Sequence, residues 1–126
     1  ALLILTKALA QMPRSQMKMP IKGVLYAKEK MDDAPGSAIS LTELASIAGL
    51  GQFTFLRAFA RYCGMTPHAY LLQRRLSLVR KLIRGGMNLV DAAIAGGFAD
   101  QSHMTRLFVR SYGYTPGLYA QQNPKI

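Results

Sequence analysis

Phe59-Ala60-Arg61-Tyr62-Cys63-Gly64-Met65-Thr66-Pro67-His68-Ala69-Tyr70 returns later in the chain as Phe108-Val109-Arg110-Ser111-Tyr112-Gly113-Tyr114-Thr115-Pro116-Gly117-Leu118-Tyr119. The shift is 49 residues, and Phe, Arg, Gly, Thr, Pro and Tyr recur in register. Upstream, Leu41, Glu43, Ala45, Gly49 and Leu50 return as Leu89, Asp91, Ala93, Gly97 and Phe98, shifted by 48. One residue is therefore inserted in the second copy, just after the glycine. A duplicated unit offers two equivalent surfaces to a partner that itself repeats.

Each copy carries the signals of short helices joined by tight turns. Ser40-Leu41-Thr42-Glu43 is a capping-box pattern opening a helix to about Ala48, and Gly49 supplies a turn that needs positive φ. A second helix runs from about Gln52 to Cys63 and stops at Gly64. Thr66-Pro67 starts another, with Thr as cap and Pro at the first helical position. Leu72, Leu76, Val79 and Ile83 give that long helix an apolar seam until Gly85-Gly86 breaks it. Asn88 caps the next short helix, Gly96-Gly97 turn the chain, and Asp100 or Gln101 opens a helix ending at Gly113. Thr115-Pro116 starts the last one. Before the first copy, Ile21, Val24, Leu25 and Met31 trace a helical stripe that ends in the Asp32–Ser37 turn segment, and residues 1–12 read as a short apolar helix ended by Pro13. No segment alternates with period two, so the predicted fold class is all-α.

Composition narrows the function. The 126 residues carry 16 Lys and Arg against 6 Asp and Glu, a net charge of +10. Between Glu43 and Asp91 no acidic residue occurs, while Arg57, Arg61, Arg74, Arg75, Arg80, Lys81 and Arg84 all fall inside that window. Such a field suits an acidic partner, nucleic acid or an anionic membrane surface. The single Cys63 allows no internal disulfide and fits a reducing cytoplasm, where it reads as a small packed side chain. No His/Cys cluster has metal-ligand spacing, so no metal or cofactor is expected. No apolar run reaches the ~18 residues of a membrane span. A catalytic function lacks a nucleophile–base arrangement, a paired carboxylate or a phosphate loop, and the reading is that this is not an enzyme.

Ala45 and Ala93, each four residues before the turn glycine, let two helices cross closely. Leu50, Phe55 and Phe59 fill the core of the first copy, and Phe98, Met104 and Phe108 that of the second. Two short helices with this turn describe a helix-turn-helix, and two such matches joined by a long helix in a basic chain outweigh the helical hairpin that a single match would suggest. The residues resemble the C-terminal DNA-binding domain of the AraC/XylS family of transcription regulators. The second copy carries most of the likeness, in Ala-Gly-Gly-Phe-Ala-Asp-Gln-Ser-His-Met-Thr-Arg-Leu-Phe (95–108) and Tyr-Gly-Tyr-Thr-Pro (112–116). Gly-Met-Thr-Pro-His-Ala-Tyr-Leu-Leu-Gln-Arg-Arg-Leu (64–76) resembles the opening of the family's central linker helix.

The resemblance covers about residues 21–120. It implies about seven helices in two three-helix lobes, roughly 21–64 and 88–120, joined by a linker helix at about 66–84, with 121–126 as a tail. It also implies double-stranded DNA as partner, with two recognition helices entering successive major grooves, and transcription regulation, most often activation, in a bacterial cytoplasm. Residues 1–20 fall in the place of a linker or the remnant of a preceding domain. Since the chain begins at Ala, it reads as a monomeric fragment whose dimerisation belonged to a missing N-terminal domain. Exposed surfaces of the same helices are candidates for contact with RNA polymerase.

Within each recognition helix, Phe55 and Phe59 must face the interior, which leaves Gln52, Phe53, Thr54, Leu56 and Arg57 nearer the outward side. The family's base-contact positions fall on Gln52, Phe53, Leu56 and Arg57 in the first lobe and on Gln101, Ser102, His103 and Arg106 in the second. Arg57 and Arg106 suit guanine, Phe53 a thymine methyl and Gln101 adenine. Ser102 and His103 suit a base edge or a phosphate, and Arg61 and Arg110, one turn on, suit phosphates. The helix starts at Ser40, Thr66, Asn88 and Thr115 offer free amides to phosphate as well. Leu56 departs from the more usual polar reader. His68 reads as an exposed first-turn residue, and Arg74 or Arg75 as a brace, against Glu43 or Asp91. The alternative to a sequence-specific reader is a non-specific basic module for nucleic acid or anionic surfaces, which has no reason to place reader-type side chains at equivalent positions.

Overall fold

The structure is a computed structural model that describes residues 20–122. The apolar segment at residues 1–12 lies outside the described residues. All regular elements among those residues are helices: α1 Ile21–Asp33, α2 Leu41–Ala48, α3 Gln52–Cys63, α4 Pro67–Arg84, α5 Leu89–Ala95, α6 Gln101–Tyr112 and α7 Pro116–Gln122. The expected all-α class and its seven helices are what the described residues form. The described residues divide into two compact units, one of residues 20–33 and 39–70 and the other of residues 34–38 and 71–122.

The repeated string has a direct physical meaning. Phe59 and Phe108 are fully buried. Each then meets the tyrosine that ends its copy: Phe59 and Tyr70 lie 5.7 Å apart edge to face, and Phe108 and Tyr119 6.1 Å apart. Between the two rings the chain must end one helix and begin another within a few residues. Gly64 and Gly113 end α3 and α6, their amides bonded to the carbonyls of Ala60 and Val109. Thr66 Oγ1 then accepts from the Ala69 amide at 3.1 Å, and Thr115 Oγ1 from the Leu118 amide at 3.0 Å. Stop, cap, proline and aromatic therefore form one joint, used twice. Removing either phenylalanine ring would cost about 3–5 kcal/mol in cavity and lost transfer energy.

In the first unit, Val24, Ala27 and Met31 of α1 pack with Leu44, Ala45 and Ala48 of α2 and with Phe55, Ala58 and Phe59 of α3. Leu50, expected in this core, is half-buried. Gly23 lets α1 approach the end of α2: a Cβ there would sit 2.2 Å from the Ala48 carbonyl oxygen. Ser40 Oγ accepts the Glu43 amide at 3.1 Å, the expected cap of α2. A polar clasp ties α1 to the first turn of α4. Tyr70 donates its hydroxyl to Asp32 Oδ1 at 2.5 Å, and Lys28 Nζ donates to Asp32 Oδ2 at 3.1 Å. Cys63 is half-buried and its burial pushes the thiol up to about 11, so it is protonated at neutral pH and packs as a small side chain.

In the second unit, Leu76, Val79 and Ile83 of α4 meet Ala92, Ala93, Phe98, Met104, Phe108 and Tyr119 in a single core. Leu72 packs against it half-buried. Residues 34–38 are held here by Arg75, whose Nε donates to the Pro35 carbonyl at 2.8 Å and Nη2 to the Ser37 carbonyl at 2.9 Å. Of the two arginines expected to brace against Glu43 or Asp91, Arg75 instead braces this segment. Its partners are carbonyls of a non-helical segment that has no helical amides to use them. Arg80 is also committed within the unit, its guanidinium 4.5 Å from the Tyr112 ring centre and 5.1 Å from that of Tyr119.

Candidate nucleic-acid interface

The two turns are built alike up to the inserted residue. The amides of Gly49 and Leu50 bond to the carbonyls of Ser46 and Ala45, and those of Gly97 and Phe98 to Ile94 and Ala93. Gly49 at φ 70° and Gly97 at φ 90° take the left-handed conformation that a side chain would resist. The paths then part. Gly51 is the N-cap of α3, directly after Leu50, whereas Ala99 intervenes before Asp100, the N-cap of α6. The insertion thus falls between Phe98 and Asp100; Asp100, in register with Gly51, gives the second helix a charged cap that the first lacks. Asp100 Oδ1 accepts the His103 amide at 2.7 Å, and Gly51 has no side chain to do so.

On α3 the buried positions are Phe55, Ala58 and Phe59, while Gln52, Phe53, Thr54, Arg57 and Arg61 are exposed and Leu56 is half-buried. On α6 the buried positions are Met104 and Phe108. Ser102, Arg106 and Arg110 are exposed, and Gln101, His103 and Thr105 are half-buried. Each helix therefore brings its own set of candidate readers onto one outward face. Phe53 is 82% exposed. Leaving such a ring in water forgoes about 2 kcal/mol of burial, so it adds no packing to the core of its unit. His103 is less available than its neighbours, since its ring lies edge-on to Phe98 with centroids 5.6 Å apart.

Basic charge also sorts by role. Arg57, Arg61, Lys81 and Arg84 of the acid-free window are exposed, whereas Arg74, Arg75 and Arg80 are half-buried. The window is thus part surface field and part internal bracing. The caps at Ser40, Thr66, Asn88 and Thr115 each already take an amide of the following turn. His68 is exposed, as expected. Gln52 has a partner that sequence reasoning missed: its Nε2 donates to Thr42 Oγ1 at 2.9 Å. The pair spans ten residues across a turn, beyond any local spacing rule. The signal available was the register of the repeat, which sets Thr42 opposite Val90.

Among the described residues no group of His, Cys, Asp and Glu could hold a metal ion, and no helix is long and apolar enough to cross a membrane.

A family model described as a helix-turn-helix domain matches residues 44–122. The chain belongs to the AraC-type helix-turn-helix family. Among curated members, the probable transcriptional regulator LumQ of Photobacterium leiognathi is 40% identical over 82 residues, covering 64% of this chain and 33% of its own length. The chain spans about a third of the length of the curated relatives it matches. Two solved structures share the fold. An AraC-type transcriptional regulator from Chromobacterium violaceum superposes with a TM-score of 0.75 at 23% identity, over 82% of this chain and 93% of that one. The DNA-binding domain of AdpA, solved with a target DNA, superposes with a TM-score of 0.70 at 21% identity, over 84% and 93%.

Proposed function

We propose that this AraC-type domain is the sequence-specific double-stranded DNA-binding part of a bacterial transcription regulator, with α3 and α6 as recognition helices entering successive major grooves. The observation that carries this reading is the outward face of each helix. Gln52, Phe53 and Arg57 in one, and Gln101, Ser102 and Arg106 in the other, are side chains that complement base edges, and they stand opposite a buried aromatic or Met face. The net charge of +10 supplies the sequence-independent attraction.

In this reading Arg57 and Arg106 each take a guanine, Phe53 packs on a thymine methyl, and Arg61 and Arg110 hold phosphates. Leu56 adds apolar contact between Gln52 and Phe53, with Thr54 at the far edge of the same set. Ser102 and His103 reach a base edge or phosphate near the start of α6. The chain acts as a monomer in the cytoplasm, activates transcription through a surface that meets RNA polymerase, and leaves dimerisation to a preceding domain.

Selection of bound sites from a randomised duplex library tests the reading. Recovery of a site with two separate elements supports it, whereas binding without enrichment of any sequence would mean a charge-driven module. With about five to eight phosphate contacts, log K against log[salt] should fall with a slope of roughly −4 to −7.

A further inference from the structure

Gln52 is a candidate reader held by a side-chain hydrogen bond, to Thr42, that its counterpart in the other copy cannot make with the residue matching Thr42. Gln52 and Gln101 occupy the same register, 49 residues apart, and Thr42 and Val90 the same register, 48 apart. Thr42 Oγ1 accepts from Gln52 Nε2 at 2.9 Å. Val90, 56% exposed, has no hydrogen-bonding group to offer Gln101.

A glutamine amide has two N–H donors and a carbonyl acceptor. With one donor given to Thr42, the group keeps one N–H and one carbonyl oxygen side by side. That pair is the complement of adenine in the major groove, which offers the N7 acceptor and the N6 donor. A free glutamine can rotate its amide and must lose that freedom on binding, whereas a tethered one has lost it already. Thr42 is itself exposed, on the second residue of α2, and nothing in the core requires its hydroxyl.

We infer that Thr42 is a specificity-determining residue, acting through Gln52: by holding the amide it makes α3 an adenine reader at one position of the DNA site. It is a positioning residue and touches no base. The inference rests on the DNA-binding function proposed above and names the base that the first unit reads.

The test is the same randomised duplex selection, run with the 126-residue chain and four variants whose helicity is checked by circular dichroism. Gln52→Ala locates the position, as the one where base preference disappears. The wild type should enrich adenine there. Thr42→Val, which keeps the shape and removes the acceptor, should lower the adenine preference at that position about 5-fold, the scale of ordering one rotamer-rich side chain at an interface. Thr42→Ser should restore it. Val90→Thr should raise adenine preference at the position read by Gln101, with no change in the other half. Unchanged adenine preference in Thr42→Val, or a preference for another base at the Gln52 position in the wild type, would overturn the inference while leaving DNA reading intact. A wild type that enriches no sequence would overturn the proposed function along with it.

Discussion

The two copies agree where they face inward and disagree where they face out. Ala45 and Ala93, Phe55 and Met104, and Phe59 and Phe108 are all buried pairs in register. On the outer face of the same helices, Phe53 stands for Ser102, Thr54 for His103, Leu56 for Thr105 and Thr42 for Val90, while Gln52/Gln101, Arg57/Arg106 and Arg61/Arg110 keep their type. Packing cannot explain that pattern, because exposed positions are nearly free of packing demands. Two copies of one device that bury equivalent positions but differ in their outer faces suit a partner presenting different chemistry to each. The first unit offers an exposed aromatic ring and a tethered glutamine. The second offers hydroxyl, imidazole and guanidinium groups behind an acidic cap.

A single change in the close approach of two helices should separate the units by stability. Gly23→Ala drives a methyl to 2.2 Å from a backbone oxygen of α2, which cannot retreat as a side-chain tip would. A loss of about 3 kcal/mol should follow. Amide hydrogen exchange should show protection falling more steeply in α2 and α3 than in α5 and α6. Gly36→Ala, which would bring a methyl to 2.2 Å from the Ala95 carbonyl oxygen, should reverse that order. Equal loss everywhere in both variants would mean that the two units are not separate in stability.

A smaller effect tests the charged cap of α6. Asp100→Ala removes the acceptor of the His103 amide and should cost about 1 kcal/mol in denaturant unfolding. Its counterpart runs the other way. Gly51 has φ −65° and ψ 157°, and a Cβ there meets nothing within 4 Å, so Gly51→Ser can install the missing cap without strain. It should stabilise α3 by only a few tenths of a kcal/mol, since glycine is already an acceptable cap. A destabilising Gly51→Ser would show that the start of α3 is constrained by something other than capping.

Much of this was legible in the sequence because the deciding signals are local. The caps at Ser40, Thr66, Asn88 and Thr115, the proline after each threonine and the glycine at each turn act within four residues, and they set all the boundaries between helices. The inward and outward faces of α3 followed from Phe55 and Phe59 being one helical turn apart. What stayed hidden depends on pairs distant in sequence. Arg75 meets carbonyls some 40 residues away, and no charge pattern distinguishes that from a bond to a carboxylate. Arg80 is drawn to a tyrosine cluster assembled from α6 and α7. Thr42 meets Gln52 across a turn. Residues 34–38 look like a plain turn after α1, yet Arg75 bonds them to the second unit.

The central claim is that the outward faces of α3 and α6 read bases, each in its own half of a DNA site. Its most direct measurement is the affinity of Arg57→Ala and Arg106→Ala for the selected site, for sites altered in one half, and for scrambled DNA, with Arg61→Ala as the phosphate control. A bidentate arginine–guanine contact discriminates by about 1–3 kcal/mol. Each reader variant should therefore lose about that much on the selected site, lose discrimination only in its own half, and bind scrambled DNA nearly as well as the wild type. Arg61→Ala should weaken all sequences alike. If Arg57→Ala and Arg106→Ala weaken selected and scrambled DNA equally, neither arginine reads a base and the account is contradicted.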